Sequence, residues 1–321
     1  MRLFYSIIFI CNIVYALDME YTIENTNIIT KTDKELIDYN RLRFNINIED
    51  SRFENIIVKL IVDNYNFYNN NIKNNENNSD IYRGYFQYTD EKHLVSIGLQ
   101  RIPFGVGHIY NPVDIFNPID STAIETQQRE GVESFRYEYA LNEDSNLDIT
   151  YSKYKKALRV KGYLEVADTA IILLNDNKTN EEIIGYELEG ELLDTGWELR
   201  SEGGYFHNKN NRDTIIKYLI GAQYGFENSL NITTEYYKDK NSAMDNFGID
   251  ISYTITPLLG VDFLNIINRK DNSYFNSLVF NYSISDESVL QYGFMNYDSG
   301  GNYYSVFNNN NKHFLSFSTT F

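Results

Sequence analysis

The sequence has almost no cysteine: Cys11 is the only one in 321 residues, and it lies in an apolar segment at the N-terminus. That segment begins Met1-Arg2, is apolar over residues 3–15 and ends at Ala16, which predicts a secretory signal peptide over residues 1–16. A membrane anchor is the alternative, but the apolar run is too short to span a bilayer as a helix. The mature chain, residues 17–321, would then contain no cysteine, which excludes a small exported scaffold built on disulfides.

Basic residues are also scarce. The chain has 28 Lys and Arg against 45 Asp and Glu, a formal net charge of -17 at pH 7. No basic cluster is present that would neutralise a phosphate backbone, so a nucleic-acid partner is not expected. Beyond the N-terminal segment no apolar run is long enough for a transmembrane helix.

Tryptophan occurs once, whereas the chain has 28 Tyr and 20 Phe. The mean hydropathy is nevertheless -0.43. Many aromatic residues in a chain that is hydrophilic on average fit a transmembrane β-barrel with aromatic girdles at the membrane interfaces. They also fit a soluble β-rich periplasmic protein, so composition leaves both classes open.

Proline is rare, and three of the four prolines lie between residues 100 and 120. Because proline removes ladder hydrogen bonds, it is avoided inside sheets. We therefore predict a long loop without strands over residues 102–130. Its two Asn-Pro-x-Asp repeats, 111–114 and 117–120, are helix-start signals, and each predicts a short helical turn.

The rest of the chain is typical of alternating strands of about ten residues, separated by connections that alternate between short and long. The short ones include 49–52 and 285–288, and the longer, asparagine-rich ones include 64–80 and 207–213. This pattern predicts an all-β fold, a transmembrane antiparallel β-barrel with short periplasmic turns and long extracellular loops. We predict eighteen strands, with sixteen as the alternative, near residues 20–30, 39–49, 54–64, 80–90, 92–102, 131–141, 145–152, 157–166, 169–175, 182–192, 196–207, 213–226, 229–238, 245–255, 258–268, 273–284, 287–298 and 312–321.

The alternation within each strand predicts which side chains face the lumen, because carboxylates on a lipid face would be costly. Two sets of pore-lining charges result, on different arcs of the wall. Across a narrow pore they would create a transverse field. The alternative is that they are solvated charges paired with neighbours such as Asp63 and Glu138. The basic set is Arg41, Arg43, Arg83, Arg136, Arg159 and Lys161, and the acidic set is Glu187, Glu189, Glu191, Glu202 and Glu235.

The last strand places Leu315, Phe317, Thr319 and the terminal Phe321 on one face. It resembles the C-terminal strand of bacterial outer-membrane β-barrels, in which the final aromatic residue is part of the assembly signal. The segment Arg101-Ile-Pro-Phe-Gly-Val-Gly, with Asn-Pro-Val-Asp-Ile-Phe-Asn-Pro over 111–118, also resembles a stretch of porin-like outer-membrane proteins. Those proteins usually have Trp where Phe104 stands, so the match is partial.

In general porins, which this layout resembles, the loop after the fifth strand folds inward and forms the constriction. The resemblance therefore implies that loop 102–130 narrows the barrel. Gly105 and Gly107 would supply the unusual backbone angles of an entry turn. Apolar side chains, namely Ile102, Phe104, Ile115 and Phe116, would hold the loop against the wall. A loop folded outward is the alternative. The constriction residues would be Arg101, Phe104, Gly105, Gly107, Asp114, Phe116 and Asp120.

The predicted function is a porin-like channel in the outer membrane of a Gram-negative-type bacterium, for passive diffusion of small hydrophilic solutes or ions. Its expected partners are the lipid bilayer, the barrel assembly machinery and, as one option, further copies in a homotrimer. No metal or cofactor is expected, since the four histidines have no metal-ligand spacing.

Two alternatives belong to other classes: a barrel hydrolase, and a closed structural or adhesive barrel. His108 with Asp114 or Asp120, and His207 with Asp213, are the hydrolase candidates. No Gly-x-Ser-x-Gly element supports hydrolysis, so we do not expect an enzyme.

Overall fold

The structure is a computed structural model that describes residues 18–32, 34–50, 53–70, 74–240, 244–298 and 311–321. The predicted signal peptide lies outside these residues. Within the described residues no helix is long and apolar enough to cross a membrane.

Eighteen strands form one antiparallel sheet that closes on itself. Each strand pairs with its neighbours in the sequence, and β1 also pairs with β18, with Asn27 opposite Phe317. The prediction of an all-β antiparallel barrel with eighteen strands is confirmed. The strands are β1 (Asp18–Lys31), β2 (Leu36–Asp50), β3 (Phe53–Asn69), β4 (Asn74–Thr89), β5 (His93–Gln100), β6 (Val132–Asn142), β7 (Ser145–Ser152), β8 (Lys155–Leu164), β9 (Ala167–Asp176), β10 (Glu181–Glu191), β11 (Trp197–Asn208), β12 (Thr214–Gly225), β13 (Leu230–Asp239), β14 (Asp245–Thr256), β15 (Leu259–Asn268), β16 (Tyr274–Ser285), β17 (Ser288–Tyr297) and β18 (Lys312–Thr320).

The two faces of the strands differ in exposure, as a period of two requires. In β10, Ile184, Tyr186 and Leu188 are exposed on the outer surface, whereas Glu187 is buried. The side chains on the inner face are not all polar, however. Two arcs of the inner wall carry buried apolar side chains: Ile172, Leu174, Ile183 and Phe206 on β9–β11, and Ile266, Phe275, Met295 and Phe314 on β15–β18.

The hairpin of β3 and β4 is longer than predicted. The asparagine-rich residues 64–80 were expected to form a loop, but the strands continue through them, with Asn66 opposite Asn77. This part of the prediction is wrong. Asparagine has low strand propensity, but bonds between side chains of the two strands extend the ladder here. Asn64 Nδ2 donates to Ser79 Oγ at 2.8 Å, and Tyr65 Oη donates to Asp80 Oδ2 at 2.8 Å.

A long loop over residues 101–131 joins β5 to β6 and contains no helix or strand. The predicted helical turns at 112 and 118 are therefore wrong. At the first repeat the expected capping bond does form, since the Asp114 N–H donates to Asn111 Oδ1 at 3.0 Å. At the second repeat the Asn117 side chain bonds to Ile102 instead, so it does not cap a helix.

Candidate functional site

The long loop is bonded to carboxylates of the barrel wall. Glu202 of β11 accepts hydrogen bonds from the backbone N–H groups of Val106 and Gly107, the latter at 2.9 Å. Its other oxygen accepts from the Val113 N–H at 3.3 Å. Hydrogen bonds to a charged acceptor are stronger than those between neutral groups. Glu202 therefore fixes two separate parts of the loop to one point on the wall.

Two further glutamates extend this arrangement. Glu235 of β13 accepts the N–H groups of residues 108–110, at 2.7, 2.9 and 2.9 Å. Glu187 of β10 accepts the Gly105 N–H at 2.5 Å. With Glu202, these residues take up six successive backbone N–H groups, from 105 to 110. We call Glu187, Glu202 and Glu235 the anchor glutamates.

The charges of the anchor glutamates are only partly balanced by cations. Glu187 Oε2 lies 3.5 Å from Arg159 Nη1, and Glu235 Oε1 lies 3.8 Å from Arg200 Nη1. Glu202 has no cationic partner within the described part of the chain. Its side-chain oxygens accept hydrogen bonds from the loop N–H groups instead, because a buried carboxyl group needs hydrogen-bond partners or a counterion.

Two glycines allow the loop to approach the wall. Gly105 has a φ of 80°, and a Cβ there would collide with Asn111 Oδ1 and Glu202 Oε2. Gly107 also has no room for a Cβ, which would collide with the carbonyl oxygen of Tyr110. Its φ is not positive, so the expected unusual angle is present at Gly105 and wrong for Gly107. Close packing is what requires glycine at 107.

The two ends of the loop are joined by Asn117, which is almost fully buried. Its Oδ1 accepts the Ile102 N–H at 2.6 Å, and its Nδ2 donates to the carbonyl oxygen of Glu130 at 2.5 Å. The sequence analysis singled out Asn117 only as a helix cap. The residue that follows, Pro118, is a local signal that Asn117 lies in a turn, because proline fixes the backbone φ angle.

Apolar side chains of the loop pack on the two apolar arcs of the wall. Phe104 and Phe116 meet edge to face, with ring centroids 5.4 Å apart. Together with Ile102 and Val113 they form one buried cluster with β9–β11. Ile109 belongs to a second cluster with β15–β18. The loop therefore contacts two separate arcs of the barrel wall.

Most of the predicted pore-lining basic residues are paired. Arg43 forms a bidentate pair with Asp63, with both distances 2.7 Å. Arg41 bonds to Glu125 of the loop at 2.8 Å and to Glu24 at 3.0 Å. The expected alternative, pairing with neighbours, is thus what the structure has at these positions.

A second group of cations surrounds Asp148 of β7. Its Oδ2 lies 2.7 Å from Arg136 and 3.3 Å from Arg159. Arg136 also contacts Glu138 at 2.6 Å. The sequence analysis did not single out Asp148, although its period-two position on β7 places it on the inner face.

The other side chains predicted to line the pore do not form a cluster, and each has its own partners. Arg83 donates to the carbonyl oxygens of Tyr82 and Arg129, and Lys161 lies 3.8 Å from Asp168. Glu189 contacts Arg200 at 3.6 Å, and Glu191 accepts the Gly196 N–H in a turn. Arg101 and Asp120 of the loop are exposed.

The expected acidic arc is therefore wrong as a pore lining for its central members. Glu202 and Glu235 are both 0% exposed, and Glu187 is 5% exposed. Alternation places these carboxylates on the inner face, but the loop covers them. Members of both sets are largely bonded to neighbouring groups, and the transverse field between the two arcs stays a prediction.

Burial shifts the pKa values of three titratable groups of the loop: His108, Asp114 and Arg129. Asp114 is 1% exposed, and burial raises the pKa of its carboxyl to about 6, against the lowering effect of the Asn117 N–H and Arg129. Asp114 Oδ1 accepts that N–H at 2.8 Å, and its Oδ2 lies 3.4 Å from Arg129. For His108, desolvation and the nearby Arg200 lower the pKa of the imidazole.

A cavity of about 750 Å³ remains beside the loop. It lies between Ile119 and residues 123–129 of the loop and the inner faces of β14–β17. The wall of this cavity is mostly polar: Asp250, Asp262, Leu264, Ser277, Val279, Asn281, Gln291 and Met295. The sequence analysis did not identify these wall residues as a group.

The hydrolase candidates are not assembled into a catalytic arrangement. His207 Nδ1 lies 3.1 Å from Thr214 Oγ1, and Asp213 bonds through its backbone to Asn211. Asp114 contacts Asn117 and Arg129, as described above. No group of three or more potential metal ligands occurs among the described residues.

No protein-family model and no curated protein matches the sequence. Solved structures do match the fold. OccK5 (OpdH) of Pseudomonas aeruginosa has a TM-score of 0.65 at 7% identity, over 94% of this chain and 98% of that one. OccAB4 of Acinetobacter baumannii has a TM-score of 0.61 at 11% identity, over 94% and 97%. A triple mutant of the Rhodopseudomonas blastica porin has a TM-score of 0.53 at 11% identity, over 95% and 100%. At these identities the likeness concerns the fold alone.

Proposed function

We propose that this protein is a porin-like outer-membrane channel for the passive diffusion of small hydrophilic solutes. The observation that carries the proposal is a closed eighteen-stranded barrel whose interior holds a bonded loop and a polar-walled cavity of about 750 Å³. Ile184, Tyr186 and Leu188, three exposed outer side chains of β10, are apolar, which suits a lipid-facing wall. A soluble barrel would place its apolar face inward throughout.

The long loop would set the width of the pore. Its N-terminal half is held to β10–β13 by the anchor glutamates, and its second half borders the cavity. Solutes would therefore pass on the side of β14–β17. Size exclusion would follow from the space between residues 123–129 and the wall.

The proposal also covers the export, membrane insertion and assembly of the chain. The chain would be exported through a cleaved signal peptide over 1–16 and inserted by the barrel assembly machinery. Its likeness in fold to porins and to OccK5 and OccAB4 agrees with an outer membrane of a Gram-negative-type bacterium. Assembly into a homotrimer stays a prediction.

Single-channel recording tests the proposal. The mature protein is refolded in detergent, its folded state is checked by the gel shift on heating, and it is added to a planar lipid bilayer. We expect discrete open steps that are absent with detergent alone and with heat-unfolded protein. Folded protein that gives no steps would overturn the channel assignment in favour of a closed barrel.

A further inference from the structure

We propose that the channel prefers cations and that Asp250 and Asp262 of the cavity wall determine this preference. This inference rests on the proposed channel function and deepens it by naming the class of solute. It also assigns selectivity to residues outside both predicted pore-lining sets.

The charges around the cavity are few and unequal. Among the described residues, its lining contains three carboxylates, of Asp250, Asp262 and Glu125, and one guanidinium, of Arg129, and no lysine. Glu125 is already paired, since both its oxygens lie 2.8 Å from Arg41. Arg129 is 3.4 Å from the buried Asp114.

The two wall aspartates face the cavity together. In the register of β14 and β15, Asp250 is opposite Leu264 and Ser252 is opposite Asp262, so the aspartates are diagonal neighbours on one face. Neither forms an ion pair with any residue that the structure describes. Asp262 accepts one neutral hydrogen bond, from Asn281 Nδ2 at 2.5 Å.

A second observation points to a polar, donor-bearing ligand in the same place. Ser277 of β16 lines the cavity and is 7% exposed, yet its hydroxyl has no hydrogen-bond partner among the described residues. Ser277 Oγ is accessible from the cavity, because it is not one of the fully buried polar atoms that lack a partner. A hydrated cation or an ammonium group in the cavity would bond to this oxygen and to the carboxylates.

The fixed charge is dense enough to select ions. The excess of two negative charges in a cavity of about 750 Å³ corresponds to a fixed-charge concentration on the order of several molar. A cube of the same volume has an edge of about 9 Å, which is close to the screening length of about 8 Å at physiological ionic strength. Cations are therefore concentrated there and anions are excluded, as in other charged constrictions.

The test is the reversal potential of the refolded protein under a potassium chloride gradient, at neutral to mildly alkaline pH. For the wild type we expect a cation-to-anion permeability ratio of about three or more. The double variant D250N/D262N is expected to bring the ratio close to one, and each single variant should give an intermediate value. Asparagine keeps the shape of aspartate, and the single variants cover the case in which the double variant does not fold.

A matched control removes two carboxylates elsewhere. D194N/E227Q changes two exposed turn residues by the same total charge, and Asn tolerates the φ of 54° at position 194. The control should keep the wild-type ratio. A conducting wild type without cation preference, or one whose preference survives in D250N/D262N, overturns this inference and leaves the channel intact. Folded protein without conductance overturns both.

Discussion

At the scale of single residues, the anchor glutamates explain how the loop stabilises the barrel wall. Glu187 and Glu202 are direct cross-strand partners on β10 and β11. Like charges opposite each other destabilise a sheet. Here the loop N–H groups and Arg159 offset this repulsion. The loop therefore stabilises an inner wall that carries these two carboxylates.

Asp114 predicts a dependence of stability on pH. Its folded pKa of about 6 lies above the ordinary value of 3.8, so between these values the folded state binds more protons than the unfolded state. The contribution of this group to the free energy of unfolding therefore falls as the pH rises through that window, by up to ~3 kcal/mol. Asp114→Asn removes this dependence while keeping an acceptor oxygen for the Asn117 N–H. We expect the variant to gain stability relative to the wild type from pH 4 to pH 7.

The measurement is denaturant unfolding of the refolded barrel in detergent micelles at several pH values, compared between variant and wild type. Asp120→Asn is the control, because Asp120 is an exposed aspartate of the same loop. The pH dependence of Asp114→Asn is compared with that of this control. A constant difference between Asp114→Asn and the wild type would contradict the prediction.

At the scale of elements, the strands could be predicted from the sequence. What their inward side chains contact, water or the loop, could not. Period-two alternation determines which side of the sheet a residue faces, and it predicts that Glu187 and Glu202 share one face. Whether an inward side chain meets water or the loop depends on contacts between residues some ninety positions apart, such as Val106 with Glu202. No local pattern contains that information.

The same limit applies inside the loop. Its existence was predictable, because three prolines exclude a strand there. The prediction of helical turns was wrong, because the Asn117 side chain bonds to Ile102 and Glu130, which are close to it only in the folded chain. Local propensity gives way where tertiary bonds compete for the same side chain.

Glu202 supplies a prediction for the loop as an element. Glu202→Ala removes the acceptor for Val106, Gly107 and Val113. Since bonds to charged groups contribute about 1.5–3 kcal/mol each, these amides should exchange with solvent at least tenfold faster. Glu202→Gln keeps one acceptor and should give a smaller effect. Hydrogen exchange of the folded barrel, followed by mass spectrometry of peptides covering 103–115, measures both.

Glu189→Ala is the matched control for this experiment. Glu189 faces the same side of β10 as Glu187 and contacts Arg200, but it forms no bond to the loop among the described residues. Exchange over 103–115 should stay as in the wild type. If Glu202→Ala also leaves it unchanged, the glutamate does not hold the loop.

At the scale of the whole molecule, the long loop links most of the barrel wall. It bonds to Arg41 on β2 and to Glu235 on β13, and Tyr297 of β17 donates to the carbonyl oxygen of Thr122 at 3.3 Å. Its apolar side chains cover apolar patches of the inner wall that would otherwise face water. The barrel is thus stabilised by a buried apolar core between the loop and the wall, in addition to the hydrogen bonds of the sheet.

This arrangement predicts that the loop, and not the barrel diameter, limits conductance. Replacing residues 103–129 by a short Gly-Ser linker leaves all eighteen strands and opens the interior, so single-channel conductance should rise severalfold. The barrel should also lose thermal stability, because Phe206 and Phe275, both about fully buried beside the loop, become exposed to water. Shortening the connection 209–213, which joins β11 to β12, is the control and should change neither property. If the loop restricts the current, its removal must raise the conductance. An unchanged conductance would mean that the narrowest point of the pore lies elsewhere.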